Sequence, residues 1–529
     1  MHTVHIGDGS TKRHSAETVG AKAANLARIA ALGLPVPPAF VLPVKLCAAI
    51  ADEDPGARHK VAQGLTEGMA FLESATGRRF GDPRRPLLVS VRSGAARSMP
   101  GMLDTVLDVG CTVAAVRGLV RMTGNPRFGW DCRRRFLESY ASVVLGLDPA
   151  PFAAALAQML AAEGTETEAG LDGEALERLA DRYQQIIEDA DGVIAEDPME
   201  QLETAAHAVY RSWTSERART YRALQHLENL RGTAVTVQAM VFGNRGLNSG
   251  AGVAFSRDPS TGEPDPVIDV LFGSQGEDVV SGSRTPETEA AIARSTPEAA
   301  TQLRDTLVRL EQDFADVQDV EFTIEDGRLW ILQTRAAKRT PLAALRFAID
   351  FVRQGRITAA QGLRRLDGVD LGALARQRLA GAPEPAARGT GASAGIAVGR
   401  AAFDSASAAR LAARGDPVIL VRPDTSTEDV AGFAVSAGIV TAVGGRTAHA
   451  ALVARQMGKP CVVGCAALAL DVAGRSARLG DGALHEGDWL SIDGGAGTIY
   501  LDRHEVVVER PDAELAEVAH WRADAVAPA

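Results

Sequence analysis

A histidine preceded by two glycines is the residue of this chain best placed to do chemistry. His449 follows residues 444–448, Gly-Gly-Arg-Thr-Ala, and precedes an Ala- and Val-rich run. This pattern predicts a tight turn that delivers the histidine, flanked by small alanines that leave its ring uncovered, to the first turn of a helix. Amide groups at a helix N-terminus favour phosphate, and a neutral imidazole can accept a phosphoryl group. The alternative is an ordinary buried or solvated histidine.

Residues 318–335 contain a second set of polar residues. Polar and apolar side chains alternate along this segment, which predicts a β-hairpin. A three-residue turn at 325–327, with Gly327 in the left-handed conformation, is expected. It gathers five apolar residues on one face, namely Val320, Phe322, Ile324, Trp330 and Leu332. The other face then carries groups that suit Mg²⁺ and phosphate, namely Asp319, Glu321, Gln333 and Arg335. A solvent-facing hairpin with ordinary salt bridges is the alternative.

The elements that position these residues follow from composition and periodicity. Residues 22–32 predict a helix that ends at Gly33, and residues from about 111 to 230 read as a helical subdomain with few strand signals. Residues 417–421 and 438–442 predict strands of a compact α/β unit. Residues 380–393, rich in Ala, Pro and Gly, are the best linker candidate, and the tail from about 509 predicts one helix with a frayed end.

The bulk composition is that of an ordinary soluble globular protein of about two to four domains. Hydrophobic residues make up 46% and charged residues 23% of the chain, and the net charge of -11 argues against nucleic-acid binding. We expect neither a signal peptide nor a membrane span. The five scattered cysteines favour a reducing cytoplasm, and Cys461 and Cys465 are expected to be core residues rather than zinc ligands.

The histidine segment resembles one enzyme family. Residues 444–461 read Gly-Gly-Arg-Thr-Ala-His-Ala-Ala-Leu-Val-Ala-Arg-Gln-Met-Gly-Lys-Pro-Cys. They resemble the phosphohistidine segment of pyruvate, phosphate dikinase and, more loosely, those of phosphoenolpyruvate synthase and the phosphotransferase-system enzyme I. The resemblance implies that His449 carries the phosphoryl group. Arg446 and Ala448 depart from the family, where Met and Ser are usual, and Thr447 matches the threonine that plant dikinases use for regulation.

Further segments resemble the ATP-grasp nucleotide domain of the same family. They are residues 20–26, 90–95, 98–106, 134–136, 237–244 and 275–280, together with the hairpin. The resemblance implies that Glu321 and Gln333 hold Mg²⁺. It assigns a larger set to ATP binding, namely Lys22, Arg92, Arg135, Gln238, Met240, Val241, Glu277, Asp319, Glu321, Gln333 and Arg335. Taken singly, Lys22 also suits a solvated helix, Arg92 a structural salt bridge and Met240 a core position.

The resemblance runs from about residue 17 to 503 and implies a multidomain α/β architecture. Residues 1–340 would form an ATP-grasp domain with a helical subdomain at about 111–230. Residues 341–389 would form a helical region and linker, and 390–503 a swivelling phosphohistidine domain. Residues 504–529 would form a C-terminal helix and tail.

The predicted function is ATP-dependent autophosphorylation of His449, the nucleotide half-reaction of a pyruvate, phosphate dikinase. ATP and inorganic phosphate would give AMP and diphosphate, with Mg²⁺ as cofactor. Full dikinases continue into a TIM barrel that binds pyruvate, and 529 residues leave no room for it. A separate phosphoenolpyruvate/pyruvate-binding barrel protein is therefore the expected partner. Nucleic-acid and membrane partners are not expected, the predicted location is the cytoplasm, and a homo-oligomer stays open.

Two other interpretations stay open. One is a specialised phosphotransferase with a different acceptor, and the other is a non-catalytic ATP-binding phosphocarrier or regulator. The intact set of candidate residues counts against the second, since a decayed enzyme is expected to lose some of them. The sequence leaves open the final acceptor, whether phosphate or water takes the γ-phosphoryl group, and regulation at Thr447.

Overall fold

The computed structural model describes residues 3–97, 99, 104–165, 167–281, 284–372, 374–381, 384–424, 429–446, 448–472 and 474–526. The chain divides into two compact units. The first comprises Met1–Ser249 and Thr323–Thr334, and the second comprises Gly250–Phe322 and Arg335–Ala529. Each unit mixes helices and sheet, so the predicted multidomain α/β class is confirmed.

The first unit contains helices α1 to α10 and strands β1 to β7. The helices are α1 (Ala16–Val19), α2 (Ala21–Ala31), α3 (Cys47–Ala51), α4 (Pro55–Thr76), α5 (Val113–Thr123), α6 (Pro126–Val143), α7 (Ala150–Glu163), α8 (Gly173–Asp189), α9 (Pro198–Arg211) and α10 (Glu216–Leu224). The strands are β1 (Val4–Ile6), β2 (Ala39–Leu42), β3 (Arg79–Phe80), β4 (Pro86–Leu87), β5 (Val89–Ala95), β6 (Thr105–Val109) and β7 (Thr233–Ala239).

An antiparallel sheet with strand order β1-β2-β7-β5-β6 forms the centre of this unit. Strand β7 is buried along its whole length, as its run of β-branched residues predicts. Helix α4 packs on β2, and a Cβ atom at Gly68 would lie 2.4 Å from the ring of Phe40. Asp54 caps the start of α4 and Gly77 ends it in the left-handed conformation. Helices α5 to α10 follow one another in the region expected to be helical.

The second unit contains the remaining elements. Its helices are α11 (Gly276–Ser281), α12 (Glu289–Ser295), α13 (Pro297–Phe314), α14 (Pro341–Arg353), α15 (Ala359–Arg365), α16 (Ser405–Ala412), α17 (Val430–Val435), α18 (His449–Gln456) and α19 (Asp512–Val526). Its strands are β8 (Gly250–Phe255), β9 (Val267–Phe272), β10 (Glu287–Thr288), β11 (Gln318–Glu325), β12 (Arg328–Ala336), β13 (Arg376–Leu379), β14 (Ala387–Arg388), β15 (Thr390–Ser393), β16 (Ile396–Ala402), β17 (Val418–Arg422), β18 (Gly438–Thr441), β19 (Cys461–Val463), β20 (Leu468–Asp471), β21 (Ser476–Leu479), β22 (Gly482–His485), β23 (Trp489–Asp493), β24 (Thr498–Leu501) and β25 (Val506–Glu509).

Two larger sheets organise these elements. The first has strand order β10-β9-β8-β11-β12, and the outer part of its β11–β12 hairpin, residues 323–334, is counted with the first unit. The second has strand order β14-β24-β23-β16-β17-β18-β19-β15. In it, β16 to β19 are parallel and are joined by α16, α17 and α18 in turn. Parallel strands joined by helices place α18 as a crossover that packs on the sheet. The strands predicted at 417–421 and 438–442 are confirmed as β17 and β18.

The predicted hairpin is present, but its predicted turn and apolar face are wrong. The strands are separated by Asp326 and Gly327 alone, with φ of 50° and 80°, which is a two-residue turn with two left-handed residues. The buried apolar residues of β12 are accordingly Leu329 and Ile331, both 0% exposed, whereas Trp330 and Leu332 are half-buried. Successive side chains of a strand point to opposite faces, so Gln333 lies on the same side of β12 as Leu329 and Ile331.

The predicted linker and tail contain strands that the composition concealed. Residues 387–393 include β14 and β15, so the segment is only partly a linker. Strand β13 pairs antiparallel with β25, from Arg376 opposite Glu509 to Leu379 opposite Val506. The tail is therefore a strand followed by the predicted helix, α19, which packs with α14 and α15 through Val518 and Trp521.

The expectation that Cys461 and Cys465 are core residues is confirmed, since each is buried in a hydrophobic cluster. Cys47, Cys111 and Cys132 are also free and buried. Within the part of the chain that the structure describes, no helix combines the length and apolar character needed to cross a bilayer.

Candidate functional site

The structure confirms that His449 begins a helix. It is the first residue of α18, and Ala448 occupies the N-cap position in extended backbone. Gly444 has a φ of 109°, which an L side chain rarely adopts, so the glycine is needed at this turn. Thr447 and the side chain of His449 lie outside the described residues. The flanking alanines Ala448, Ala450 and Ala451 are buried, and the last two belong to the core beneath α18.

The loop before His449 is hydrogen-bonded to strand β9 of the same unit. The amide N–H of Arg446 donates to Oδ2 of Asp269 at 2.7 Å. A Cβ atom at Gly445 would lie 2.8 Å from that same oxygen and 2.5 Å from Pro286, so the second glycine permits this close approach. The two glycines therefore serve different needs, since one allows the turn and the other allows contact with β9.

Two of the predicted nucleotide residues form an ion pair in β11 and β12. Nε of Arg335 donates to Oδ2 of Asp319 at 2.7 Å. Glu321 lies two residues farther along β11 and is half-buried, so it shares the strand face of Asp319. Burial raises the pKa of Asp319, Arg335 opposes the rise and Glu321 adds to it. These three side chains thus form one electrostatic group.

Arg455 on α18 belongs to the same electrostatic neighbourhood. It is 8% exposed and its guanidinium lies 5.4 Å from the ring of Phe255. Burial lowers the pKa of Arg455, and the carboxylates of Asp319 and Asp269 oppose this. Within the second unit, the helix that begins at His449 therefore carries a buried cation close to the carboxylates of β9 and β11.

In the first unit, helix α2 brings Lys22 close to the end of β5. Gly20 precedes α2 with a φ of 81°, and a Cβ atom there would lie 2.1 Å from the carbonyl oxygen of Gly94. The side chain of Asn25, also on α2, donates to the carbonyl of Thr334 at 3.0 Å. Because Gln333 precedes Thr334 in β12, the same helix connects the backbone segments that carry Lys22 and Gln333.

The β5–β7 pairing brings Arg92 and Gln238 together. Nη1 of Arg92 lies 3.4 Å from Oε1 of Gln238, and Nε2 of Gln238 donates to the carbonyl of Pro37 at 3.2 Å. Met240 and Val241 follow directly after β7 and are half-buried. The amide of Met240 donates to the carbonyl of Leu88 at 2.9 Å, which fixes the backbone at this point.

Arg135 lies in a buried ion-pair network of α6. Its Nε donates to Oδ2 of Asp131 at 3.1 Å, and the side chain of Asn244 donates to the same oxygen at 2.6 Å. Burial alone would raise the pKa of Asp131, but the guanidinium groups of Arg135 and Arg134 hold it well below its usual range. The structure thus gives Arg135 a carboxylate partner within the protein, and nucleotide binding by this residue stays a prediction.

The remaining candidates are Glu277 and Gln333. Glu277 is exposed in the first turn of α11, in the second unit. Gln333 is 8% exposed in β12, in the part of the hairpin that belongs to the first unit.

The oxygen donors present fit Mg²⁺. The Oδ1 atom of Asp319 is buried and has no hydrogen-bond partner among the described residues, although a buried carboxylate oxygen ordinarily has one. Glu321, on the same strand face as Asp319, supplies a carboxylate of the kind that this ion takes. Gln333 belongs to the other unit and lies on the Leu329 and Ile331 side of β12, so its part in a metal site stays a prediction. Among the described residues, no group of three or more His, Cys, Asp and Glu side chains could hold a metal ion.

Sequence reasoning missed Asp269 and Arg455. Asp269 stands alone as a charged residue inside the apolar strand Val267–Phe272, and that break in the pattern was an available signal. Arg455 is part of the histidine motif, but neither its burial nor its hydrogen bonds can be read from its spacing.

Two domain families match the chain. Residues 57–299 and 289–350 match the AMP/ATP-binding domain of pyruvate phosphate dikinase. Residues 415–497 match the mobile domain of PEP-utilising enzymes, and this stretch contains α18.

Curated relatives match nearly the whole chain. Pyruvate, phosphate dikinase 2 of Zea mays is 39% identical over 98% of this chain and 59% of its own length. Pyruvate, phosphate dikinase of Clostridium symbiosum is 40% identical over 91% of this chain and 56% of its own length. That of Rhizobium meliloti (strain 1021) is 39% identical over 98% of this chain and 60% of its own length. The chain thus spans somewhat more than half the length of these relatives, and it belongs to the pyruvate, phosphate dikinase family.

Proposed function

We propose that this chain transfers a phosphoryl group from ATP to its own His449 and then passes it to an acceptor. The observation that carries the proposal is the hydrogen bond between the turn before His449 and Asp269 of β9. This bond fixes the turn at the start of α18. The carboxylates of Asp319 and Glu321 on β11 lie in the same unit, and their oxygens suit a magnesium–nucleotide complex. The family match and the intact candidate residues support the same conclusion.

Nucleotide binding is proposed to use an ATP-grasp arrangement. Lys22, Arg92 and Arg335 would neutralise the charge of the triphosphate, because cationic groups stabilise phosphoryl oxygens. Gln238, Met240 and Val241 would contact the adenine at the end of β7. Arg135 and Glu277 complete the proposed set, with Arg135 also filling a structural role through Asp131.

The proposed reaction has two steps. An unprotonated ring nitrogen of His449 attacks the β-phosphorus of ATP, and AMP leaves with the oxygen that bridged the α- and β-phosphorus atoms. Inorganic phosphate then takes the γ-phosphoryl group as diphosphate, and one phosphoryl group remains on the ring. Glu321 and Gln333 would hold Mg²⁺, which supplies charge neutralisation at the phosphates. The protein contributes mainly position, since little covalent chemistry remains for other side chains.

The second transfer is proposed to need a movement of the histidine domain and an acceptor outside it. The paired strands β13 and β25 are the two connections to the histidine-bearing sheet, so movement of that sheet would bend this ribbon. A separate protein that binds phosphoenolpyruvate and pyruvate is the proposed acceptor, and Mg²⁺ the proposed cofactor.

The test uses ATP labelled at the β-phosphorus, with Mg²⁺ and inorganic phosphate. The wild-type protein should retain an acid-labile, base-stable label and release AMP in equal amount. His449→Ala should retain none, whereas the matched control His485→Ala, an exposed histidine on β22 of the same domain, should be labelled normally. If the wild-type protein binds ATP but stays unlabelled, the proposed activity is excluded and a regulatory role is favoured.

A further inference from the structure

Three hydrogen bonds converge on Arg446, three residues before His449. Its amide N–H donates to Asp269, and its side-chain Nε donates to the carbonyl of Gly391 at 2.9 Å. Its own carbonyl accepts a hydrogen bond from Nη2 of Arg455. The main chain of Arg446 is therefore held on both sides of its Cα atom, through its N–H and its carbonyl, and the turn that precedes the histidine is fixed at this residue.

Arg455 connects that turn to the helix it precedes. Its Nη2 binds the carbonyl of Arg446 before the helix, and its Nε donates to the carbonyl of Ala451 within the helix at 3.2 Å. The guanidinium is planar and rigid, so its two bonds fix the loop carbonyl relative to the helix carbonyl. The two acceptors lie on opposite sides of His449 in the sequence.

Packing alone does not account for an arginine at this position. Arg455 is 8% exposed, and placing a guanidinium there costs desolvation free energy that an apolar side chain of similar volume avoids. Its two hydrogen bonds among the described residues go to main-chain carbonyls that flank His449. These two bonds therefore control the geometry of the turn before His449.

We propose that Arg455 is a positioning residue for phosphoryl transfer at His449, acting by holding the carbonyl of Arg446. The proposal rests on the proposed function and adds the group that fixes the approach of the imidazole. Phosphoryl transfer needs the attacking nitrogen in line with the bond that breaks, and a displacement of about 1 Å can cost roughly 100-fold in rate. Arg455 does not itself touch the nucleotide in this scheme.

The first test compares Arg455→Met, Arg455→Lys and the matched control Arg478→Met, an exposed arginine on β21 of the same domain. In single-turnover labelling by ATP, Arg455→Met should be slower by about 10- to 100-fold, while its KM for ATP changes by less than about two-fold. Arg455→Lys keeps the charge but cannot make both bonds, so it should stay slower than wild type. Full activity in Arg455→Lys would overturn the proposal, since charge alone would then suffice.

The second test separates position from reactivity. Phosphoramidate phosphorylates histidine without ATP, so its rate of reaction with His449 should be the same in wild type and Arg455→Met. An equal loss with phosphoramidate and ATP would mean that the variant damages the histidine or its domain, which overturns the positioning role. Thermal unfolding of each variant shows whether the domain has stayed folded.

The third test does not depend on activity. Hydrogen exchange of the amides in residues 442–448 should be about tenfold faster in Arg455→Met and unchanged in Arg478→Met. Unchanged exchange in Arg455→Met would overturn the proposal even if ATP labels the protein. If ATP fails to label wild type but hydrogen exchange is faster in Arg455→Met, the proposed function is wrong. The hydrogen bond from Arg455 to the carbonyl of Arg446 is then still shown to fix the turn.

Arg446→Met separates the role of the Arg446 side chain from that of its main-chain N–H and carbonyl. This variant removes the bond to Gly391 but keeps the amide and carbonyl bonds. It should label at close to the wild-type rate. A loss as large as that of Arg455→Met would assign the positioning to the Arg446 side chain instead and overturn the role given to Arg455.

Discussion

At the scale of single residues, the charged groups of this chain differ in what neutralises them. Arg135 is 7% exposed and is paired with the buried carboxylate of Asp131. Removing one member of a buried pair leaves the other charge without compensation, which is costly. The resemblance predicts that substitution of Arg135 weakens ATP binding. The ion pair predicts that the same substitution lowers the stability of the fold.

Arg135→Met should lower the free energy of unfolding by about 3 kcal/mol, because the buried carboxylate of Asp131 would lose one of the guanidinium groups of α6 that form ion pairs with it. Urea denaturation measures this loss. Asp131→Asn combined with Arg135→Met should lose less than the sum of the two single variants, since the pair is then removed together. Unchanged stability together with a raised KM for ATP would contradict the structural role.

Glu325, the last residue of β11, provides a pH-dependent test. Burial raises its pKa, while Arg78 and Arg245 oppose the rise. The folded protein therefore binds this proton more tightly than the unfolded chain does. The stability that Glu325 contributes is fully present below its ordinary pKa of 4.5 and is lost as the pH rises through the raised value.

Glu325→Gln cannot ionise and keeps the acceptor for Nη1 of Arg245. Its thermal midpoint should therefore rise relative to wild type between about pH 4 and about pH 7. Thermal unfolding followed across this range measures the difference between the two proteins. A difference that falls with pH would show that the carboxylate is stabilised as an anion, contrary to the effect of its burial.

At the scale of elements, the contact between α2 and β5 positions Lys22 relative to Arg92. The contact depends on Gly20, where a Cβ atom would meet the backbone of Gly94. Because backbone atoms cannot move aside as flexible side chains do, a substitution here must displace the start of α2 or the end of β5.

Gly20→Ala should lower stability by about 2–3 kcal/mol and raise the KM for ATP roughly tenfold. Gly33→Ala is the matched control, since Gly33 also has a positive φ, 72°, but nothing within 4 Å of an added Cβ. It should cost about 1 kcal/mol and leave the KM unchanged. Equal effects of the two variants on the KM would show that strain, and not the contact with β5, is responsible.

The β11–β12 hairpin shows how far a sequence pattern can specify an element. Its existence and strands followed from alternation, but both columns of β12 contain apolar residues, so the pattern alone could not decide which is buried. The Asp-Gly pair at 326–327 is a strong signal for a two-residue turn, and the structure has that turn. In this hairpin the local turn decides the register, and the buried face is therefore that of Leu329 and Ile331, not a wholly apolar face with Trp330 and Leu332.

At the scale of the whole molecule, the sequence indicated the two family domains but not the contacts between distant segments. Helix α18 and strands β17 and β18 could be predicted because they are local patterns with clear ends. The ribbon of β13 and β25 could not, since Arg376 and Glu509 are roughly 130 residues apart and Pro-, Gly- and Ala-rich composition indicated a linker. The hydrogen bond from Arg446 to Asp269 joins segments that are 177 residues apart, and no periodicity reports it.

The central claim is that His449 receives a phosphoryl group from ATP. The most direct measurement is mass spectrometry of peptides from the full chain after incubation with ATP, Mg²⁺ and inorganic phosphate, under alkaline conditions that preserve phosphohistidine. The account predicts one phosphoryl group on the peptide that contains His449, and none on that peptide when ATP is omitted. An unmodified His449 peptide from protein that has bound ATP, or a phosphoryl group found only on another residue, would contradict it.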